Sequence, residues 1–272
     1  MHLLCSAAQV NSIVFFVLLA AGSAGIVLSF AQAKSRAVFA ADGLERPARR
    51  LAAGALLAAV LLLTVAIPFA GGFAGGQPET KQLTVVSLFA VHAILLLFLI
   101  VYYFLTRQTS LADFLRLKSP RPFVDLASGL LIGLAGWALT VTVLLVVVAF
   151  WYILRKSGIG TTAGEISPVI RWLRERPLFV RIGIVVSAMV IEELFFRSFL
   201  QPRVGPVAAT LMFTAAHGVY GQPLILIGIL VISGVLSTAF VLYRNVLPCI
   251  IAHGTFDAIQ MFVIIPLALK AT

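Results

Sequence analysis

The chain has 272 residues, of which 61% are hydrophobic and only 11% are charged, and its mean hydropathy is +1.09. These values exclude an ordinary soluble globular domain and indicate a polytopic membrane protein. The 20 Lys and Arg residues outnumber the 10 Asp and Glu residues. They cluster between apolar runs, as juxtamembrane cations do, so we expect no nucleic-acid partner.

Eight apolar runs predict an all-α fold, a membrane bundle of about eight transmembrane helices. A helix needs about 20 residues to cross the hydrocarbon core. The sixth run is shorter because Gly-Pro opens it and Gly-Gln-Pro follows it, which are strong turn signals. The predicted spans are Val10–Gln32, Leu51–Gly75, Thr84–Leu105, Leu126–Leu154, Leu178–Leu200, Gly205–Tyr220, Pro223–Tyr243 and Val246–Leu269.

The distribution of polar residues divides the chain into two regions. Residues 1–177 hold four membrane helices and an amphipathic connector, and residues 178–272 hold four helices that carry the polar motifs. The connector, Ser167–Arg176, alternates apolar residues with three arginines, which is typical of a helix in the membrane interface. A basic connector at the headgroups is an equal interpretation. In the fourth span, Gly129 and Gly133 suit close helix contact.

Two adjacent carboxylates, Glu192 and Glu193, lie inside the fifth predicted span. A charged residue at a helix centre costs about 2.5 to 3.5 kcal/mol, which favours a functional reason for it. Arg197 follows Glu193 by four residues and shares its helix face, whereas adjacent residues diverge by about 100°. We therefore expect Glu193 to pair with Arg197, in a structural or supporting role, and Glu192 to stay unpaired as a general base or acid.

Two later spans each carry a histidine with a partner one turn away, Phe213 with His217 and His253 with Asp257. Counted at about 1.5 Å per residue, Glu192, His217 and His253 lie at similar depths below the fifth and seventh loops. We therefore expect one cavity, opening toward that face, in which Glu192 and His217 share the proton of an attacking water. Phe213 would shield the His217 ring from lipid. Asp257 would orient His253, whose ring would stabilise an oxyanion.

Other functions remain open at this point. A lone intramembrane histidine, His92, is more typical of a helix-helix hydrogen bond than of a catalyst, so we give it no role. A non-catalytic scaffold or immunity factor could bind a peptide or lipid in the same cavity. A proton-coupled transporter is a third alternative, because intramembrane Glu and His also mark proton relays. The sequence shows no inverted repeat or paired broken helices of the kind that such transporters favour.

Three short motifs in the second half of the chain resemble those of the CAAX prenyl endopeptidase type II family. This family includes the bacterial Abi-type CAAX proteases and the bacteriocin-processing, immunity and lysostaphin-resistance proteins. The motifs are EExxxR from Glu192 to Arg197, FxxxH from Phe213 to His217, and HxxxD from His253 to Asp257. The resemblance extends over about Leu178 to Leu269. It implies a glutamate-dependent intramembrane endopeptidase for a membrane-associated peptide or protein, in CAAX-type or bacteriocin and peptide processing.

The resemblance also implies a role for each motif residue. Asp257 stands where the eukaryotic enzymes have Asn, and an ionised carboxylate cannot donate a hydrogen bond. Direct oxyanion binding would therefore need a protonated Asp257, and otherwise this residue only orients His253. Glu192 and His217 would activate water, His253 and Asp257 would stabilise the oxyanion, and Glu193, Arg197 and Phe213 would support the site.

The resemblance and the charge pattern together predict the setting of the protein. Two histidines and three carboxylates could in principle hold a metal, but the pairing of Glu193 with Arg197 and the glutamate-based resemblance favour no metal and no cofactor. The expected partners are the lipid bilayer and a membrane-associated peptide or protein substrate. We expect an integral protein of a bacterial cell membrane whose active site opens toward the cytoplasm, since the Lys and Arg bias favours both termini outside. The sequence indicates no oligomeric state.

Overall fold

The computed structural model describes residues 17, 20, 21, 23, 42–44, 46–74, 84–106, 110–156 and 168–268. Within these ranges the chain forms helices joined by turns and short loops, with no strand. The predicted all-α class is therefore confirmed for the described part of the chain. The first predicted span, Val10–Gln32, lies almost wholly outside the described residues.

The helices are numbered here in chain order, and three of them contain π-helical turns, in which the backbone hydrogen bonds join residues five apart. They are α1 (Pro47–Leu61, π-helical Leu62–Ala66, then Ile67–Ala74), α2 (Val85–Leu105), α3 (Leu111–Phe114), α4 (Pro122–Lys156), α5 (Pro168–Arg174), α6 (Leu178–Ser187, π-helical Ala188–Glu192 and Leu194–Leu200, then Gln201–Val204), α7 (Pro206–Ala216), α8 (Pro223–Tyr243) and α9 (Leu247–Ile259, π-helical Gln260–Ile264, then Ile265–Ala268). A 3₁₀ turn, Gly218–Tyr220, connects α7 to α8.

Five helices of the described chain are long and apolar enough to cross a membrane, so the predicted count of about eight is not confirmed. The fifth and sixth predicted spans form helices α6 and α7, but neither is both long and apolar enough to count among them. The charged residues of α6 interrupt its apolar run, and the 11 residues of α7 reach only about 16 Å at 1.5 Å per residue. The five candidates are Ala48–Gly72, Val85–Leu105, Pro122–Leu154, Pro223–Tyr243 and Leu247–Leu267.

Proline and glycine define the helix ends near the short helix α7. Gly205, with φ of +88°, lies between α6 and α7 in a backbone region that L side chains rarely adopt. Pro206 and Pro223 open α7 and α8, where proline suits the first helical position because its missing N–H would be unpaired there anyway. The turns predicted on either side of the sixth span are thus present, but α7 itself ends at Ala216, four residues before the predicted Tyr220.

Glycine also allows α4 and α9 to approach closely, as predicted for the fourth span. A Cβ atom added to Gly129 would lie 2.8 Å from the carbonyl oxygen of Pro248, and one added to Gly133 would lie 2.7 Å from that of Ala252. Both distances are too short for a real side chain. The small-residue face of α4 therefore fixes the position of α9, which carries His253.

The C-terminal half of α6 packs against α2 through aromatic rings. Phe195 and Phe199 are fully buried, and their ring centroids lie 5.5 and 5.0 Å from that of Phe98 on α2. Phe199 also meets Tyr102 edge to face at 4.6 Å. These contacts, each worth about 0.5–1.5 kcal/mol beyond area burial, hold α6 against α2, and so bring α2 side chains toward the two glutamates.

The helices end at two opposite faces of the bundle. We call the end with Gly205 and the α8–α9 turn the Gly205 face, and the end with the starts of α2, α6 and α8 the Gln222 face. At the Gly205 face, Asn245 Nδ2 donates to Asp125 Oδ2 at 2.9 Å, and Val246 N donates to Arg116 O at 3.0 Å. These bonds connect the α8–α9 turn to the loop before α4 and to its first turn.

Candidate active site

A cavity of about 720 Å³ lies between α2, α6, α8 and α9, and it contains the polar residues predicted from the motifs. Glu192, His217, His253 and Asp257 all line it. The structure therefore brings the four predicted catalytic residues to one space inside the bundle. This is the arrangement that the similar depths of the three motifs predict.

The cavity extends toward the Gln222 face, so the predicted opening toward the fifth and seventh loops is wrong. Its lining includes Thr84 and Gln222, which precede α2 and α8, and Ile265 near the end of α9. The reason is the short α7, which ends at Ala216 and leaves the space beyond its carboxyl end unfilled by a helix. Which face is cytoplasmic stays a prediction.

The predicted amphipathic connector contains a short helix, α5, that covers part of this cavity. Val169, Trp172 and Leu173 are buried against Ile184 and Met261 in one apolar cluster, and all five side chains line the cavity. The arginines of α5 are exposed. The helix thus faces the site with its apolar side and solvent or headgroups with its basic side, as expected of an interfacial helix.

Glu192 lies at the end of the first π-helical turn of α6 and contacts two histidines. Its Oε1 accepts a hydrogen bond from His92 Nε2 at 3.1 Å, and its Oε2 lies 3.8 Å from His217 Nε2. Oε2 itself has no hydrogen-bond partner among the described residues. The prediction that Glu192 is unpaired is therefore wrong for one oxygen. His92, for which no role is predicted from the sequence, contacts the site directly.

His217 follows the last residue of α7, and its ring is oriented by the backbone of that helix. Its Nδ1 lies 2.8 Å from the carbonyl oxygen of Phe213, which can only accept, so Nδ1 carries the hydrogen. In the neutral ring Nε2 then presents a lone pair toward Glu192. The Phe213 ring lies against the imidazole, with centroids 4.6 Å apart, as the predicted shielding requires.

Glu193 connects Arg197 to His253 in the interior of the bundle. Its Oε2 lies 3.2 Å from Arg197 Nε, and both side chains are 0% exposed, so the predicted pair is present. Its Oε1 accepts from His253 Nδ1 at 2.9 Å. Glu193 therefore orients the imidazole of His253, a function that was predicted from the sequence for Asp257 alone.

Asp257 contacts the other nitrogen of the same ring. His253 Nε2 lies 3.3 Å from Asp257 Oδ2, and the aspartate side chain is 30% exposed, against 7% for the histidine. His253 thus lies between a buried carboxylate and one at the cavity surface. A ring held in this way can present an N–H toward negative charge that develops in the cavity.

Within the described residues, no group of three or more His, Cys, Asp or Glu side chains is arranged to hold a metal ion.

A glycine contact between α1 and the 3₁₀ turn fixes the backbone next to His217. A Cβ atom on Gly72 would overlap the carbonyl group of Gly218, the residue that follows His217. We expect Gly72→Ala to lower the free energy of unfolding by about 1–3 kcal/mol, as overpacking does, and to displace His217. Thermal unfolding in detergent or nanodiscs measures the first effect.

The neighbouring glycine provides a matched control for this substitution. A Cβ atom on Gly71 would meet no atom of the described residues within 4 Å, so Gly71→Ala makes the same chemical change in the same helix without the clash. We expect Gly71→Ala to unfold at or slightly above the wild-type temperature. Equal melting temperatures for the two variants would contradict the tight contact.

The comparison with known protein families singles out the part of the chain that holds this site. Residues 174–259 match the family model described as Type II CAAX prenyl endopeptidase Rce1-like. The resemblance predicted from the three motifs is thus confirmed over this segment, which is just under a third of the chain. The family indicates a membrane endopeptidase, a hydrolase, and the apolar helices indicate an integral membrane protein.

Further comparisons add no individual relative. No curated protein and no solved structure matches the chain. The matched segment begins in α5 and ends in α9, so it includes Glu192, His217, His253 and Asp257 but excludes His92. Sequence reasoning missed His92 for a related reason, since it lies 100 residues before its partner and no local motif marks it.

Proposed function

We propose that this protein is a glutamate-dependent intramembrane endopeptidase that hydrolyses a peptide bond in a membrane-associated peptide or protein. One observation supports the proposal above all others. Glu192 Oε2 and His217 Nε2 are two hydrogen-bond acceptors 3.8 Å apart that line one cavity. A water molecule donates one hydrogen to each of two acceptors at such a separation, and its oxygen lone pairs then point away from both.

Water attack is the first step of the proposed reaction. Glu192 Oε2 takes a proton from the water as its oxygen bonds to the scissile carbonyl carbon, and His217 holds the second hydrogen through Nε2. The carbonyl π bond breaks, and its electron pair moves to the oxygen. A tetrahedral intermediate with one negative charge results, and Glu192 is now protonated.

The imidazole of His253 stabilises this charge. Glu193 and Asp257 contact its two nitrogens at 2.9 and 3.3 Å, which keeps the ring oriented. An N–H aimed at a developing oxyanion is worth about 2.7–4 kcal/mol in other hydrolases. The intermediate collapses when the C–N bond breaks and Glu192 returns its proton to the leaving amine. The products are a carboxylic acid and an amine.

The lining of the cavity supports a hydrophobic substrate segment. Apart from the polar cluster at the inner end, the walls are mostly apolar, with Leu88, Ile225, Ile229 and Ile264 among the contributors. Such a wall suits a chain that partitions into the bilayer. We propose a peptide whose cleavage site lies beside its membrane-anchored part, either a CAAX-type tail, after the family description, or a bacteriocin or other peptide precursor.

A cleavage assay tests the proposed function. The purified protein in lipid nanodiscs is incubated with a farnesylated peptide that ends in a CAAX sequence and with the same peptide lacking the lipid, and the products are analysed by mass spectrometry. We expect release of a C-terminal fragment by the wild type and none by Glu192→Gln. A parallel comparison of C-terminal peptides in the membrane proteome of cells producing either form extends the search to other substrates.

Two outcomes would contradict the proposal. If no peptide cleavage in either experiment depends on Glu192, the cavity is a binding site of a non-catalytic protein, which is the scaffold or immunity alternative. If solute accumulates in sealed vesicles that contain the wild type, but not in vesicles with Glu192→Gln, the transporter alternative is correct.

A further inference from the structure

His92 contacts the proposed general base from outside the matched segment. It lies on α2, two turns after the helix begins, and is 4% exposed. Its Nε2 is 3.1 Å from Glu192 Oε1, and no other side chain of the described residues lies within hydrogen-bond distance of that oxygen. Packing of Phe98 against Phe195 and Phe199 holds α2 next to α6, so the contact is built into the helix interface.

The surroundings of His92 show which of its two ring nitrogens is the donor. The carboxylate oxygen accepts, so Nε2 carries a hydrogen. Nδ1 is buried and has no hydrogen-bond partner among the described residues. His92 is therefore a hydrogen-bond donor to Glu192 through Nε2.

This donor acts on only one oxygen of the carboxylate. Oε1 accepts from His92, whereas Oε2 faces His217 and has no hydrogen-bond partner in the part of the chain that the structure describes. A carboxylate free to rotate about its last torsion would exchange its two oxygens between the position beside His92 and the position beside His217. The His92 bond removes that freedom, so that Oε2 alone is presented to the cavity.

We propose that His92 is a positioning residue of the hydrolytic site, one that fixes Glu192 so that Oε2 takes the proton from water. This inference rests on the proposed function. It extends that function to α2, which lies outside the matched segment, because a side chain of this helix orients the proposed general base. The two oxygens of Glu192 then have different tasks, Oε1 in orientation and Oε2 in proton transfer.

Several titratable groups face the same carboxylate and have to be separated from His92 in any test of pH dependence. His217 approaches it from the end of α7, Tyr220 lines the cavity from the 3₁₀ turn, and His253 and Asp257 line it from α9. All of these are unchanged in a His92 variant. A change in the pH dependence on replacing His92 alone is therefore attributable to His92 itself, and a variant that keeps a donor but cannot ionise isolates the contribution of the hydrogen bond.

The experiment compares His92→Gln with His92→Leu. The amide nitrogen of Gln can replace the Nε2 donor, whereas Leu fills similar space without one. A hydrogen bond to a charged group is worth about 1.5–3 kcal/mol, which corresponds to a roughly 10- to 150-fold change in rate. We expect His92→Leu to lower kcat by about this factor with little change in KM, and to move the acid limb of the kcat profile to higher pH. His92→Gln should recover most of kcat.

A second readout does not depend on a known substrate. The infrared carboxylate band of Glu192, identified by its disappearance in Glu192→Gln, should shift in His92→Leu and stay near the wild-type position in His92→Gln. An unshifted band in both variants, or equal losses of kcat with an unchanged pH profile, would overturn the positioning role. Failure of the wild type to cleave any peptide would instead contradict the proposed function, and the infrared result would still decide on the hydrogen bond.

Discussion

Replacing Glu192 with Gln is expected to lower kcat by about 10²- to 10⁴-fold, the range that positioned general bases contribute. Gln has the same shape and can still accept from His92 through its amide oxygen. It cannot take a proton from water. Because the substrate is not held by this oxygen before water attacks, KM should change little. Steady-state kinetics on the cleaved peptide, with purified protein in nanodiscs, measures both constants.

An exposed glutamate provides the matched control for this substitution. The side chain of Glu175 is 62% exposed, and its ion pair with Arg176 is long, at 3.6 Å. Glu175→Gln makes the same chemical change outside the cavity, so we expect kinetics close to the wild type. If Glu192→Gln retained the wild-type kcat, the assignment of Glu192 as the base would be wrong. An equal loss in both variants would mean that the effect is not specific to the cavity.

Replacing Arg197 with Met should destabilise the protein by about 3–5 kcal/mol, the usual result of removing one partner of a buried ion pair. Arg197 and Glu193 are both 0% exposed, so the remaining carboxylate cannot recover its hydration. The guanidinium also donates to Ser233 Oγ at 3.2 Å and lies 4.7 Å from the centroid of the Phe213 ring. Unfolding in detergent, monitored by tryptophan fluorescence or circular dichroism, measures the loss.

Two further variants distinguish a stranded charge from lost packing. Adding Glu193→Gln to Arg197→Met removes the uncompensated charge, so the double variant should be more stable than Arg197→Met alone. Arg121, which is exposed at the start of α4, serves as the surface control, and Arg121→Met should change stability by no more than about 0.5 kcal/mol. A double variant that is less stable than the single one would show that Glu193 contributes mainly through His253.

The sequence predicts those parts of the fold and site that depend on local pattern. Apolar runs and Gly-Pro turns predict the long helices and the start of α7, and the spacing of Gly129 and Gly133 predicts a close helix contact of α4, although not that its partner is α9. Helical spacing also predicts the pairs of Glu193 with Arg197 and of His253 with Asp257. Each of these features is determined within a few residues of chain, where helix geometry is regular.

The features that the sequence does not predict depend on contacts between distant segments. His92 and Glu192 are 100 residues apart, and Glu193 and His253 are 60 apart, so neither contact leaves a periodic signal. The direction of the cavity depends on how far α7 extends relative to its neighbours. The two π-helical turns of α6, Ala188–Glu192 and Leu194–Leu200, also have no marker in composition, although turns of this kind are frequent at functional sites.

The hydrogen bond from His217 Nδ1 to the carbonyl oxygen of Phe213 has a consequence for how mutants of this protein are interpreted. α7 terminates within the bundle, where no further helical turn supplies N–H donors to its last carbonyl groups, so the imidazole caps the carboxyl-terminal end of that helix. Removing the imidazole is expected to fray the last turn of α7 as well as to abolish the proposed contact with water. A loss of activity in His217→Ala can therefore come either from misfolding or from lost chemistry. A loss of activity in Glu192→Gln, which preserves the shape of the side chain, does not have this ambiguity.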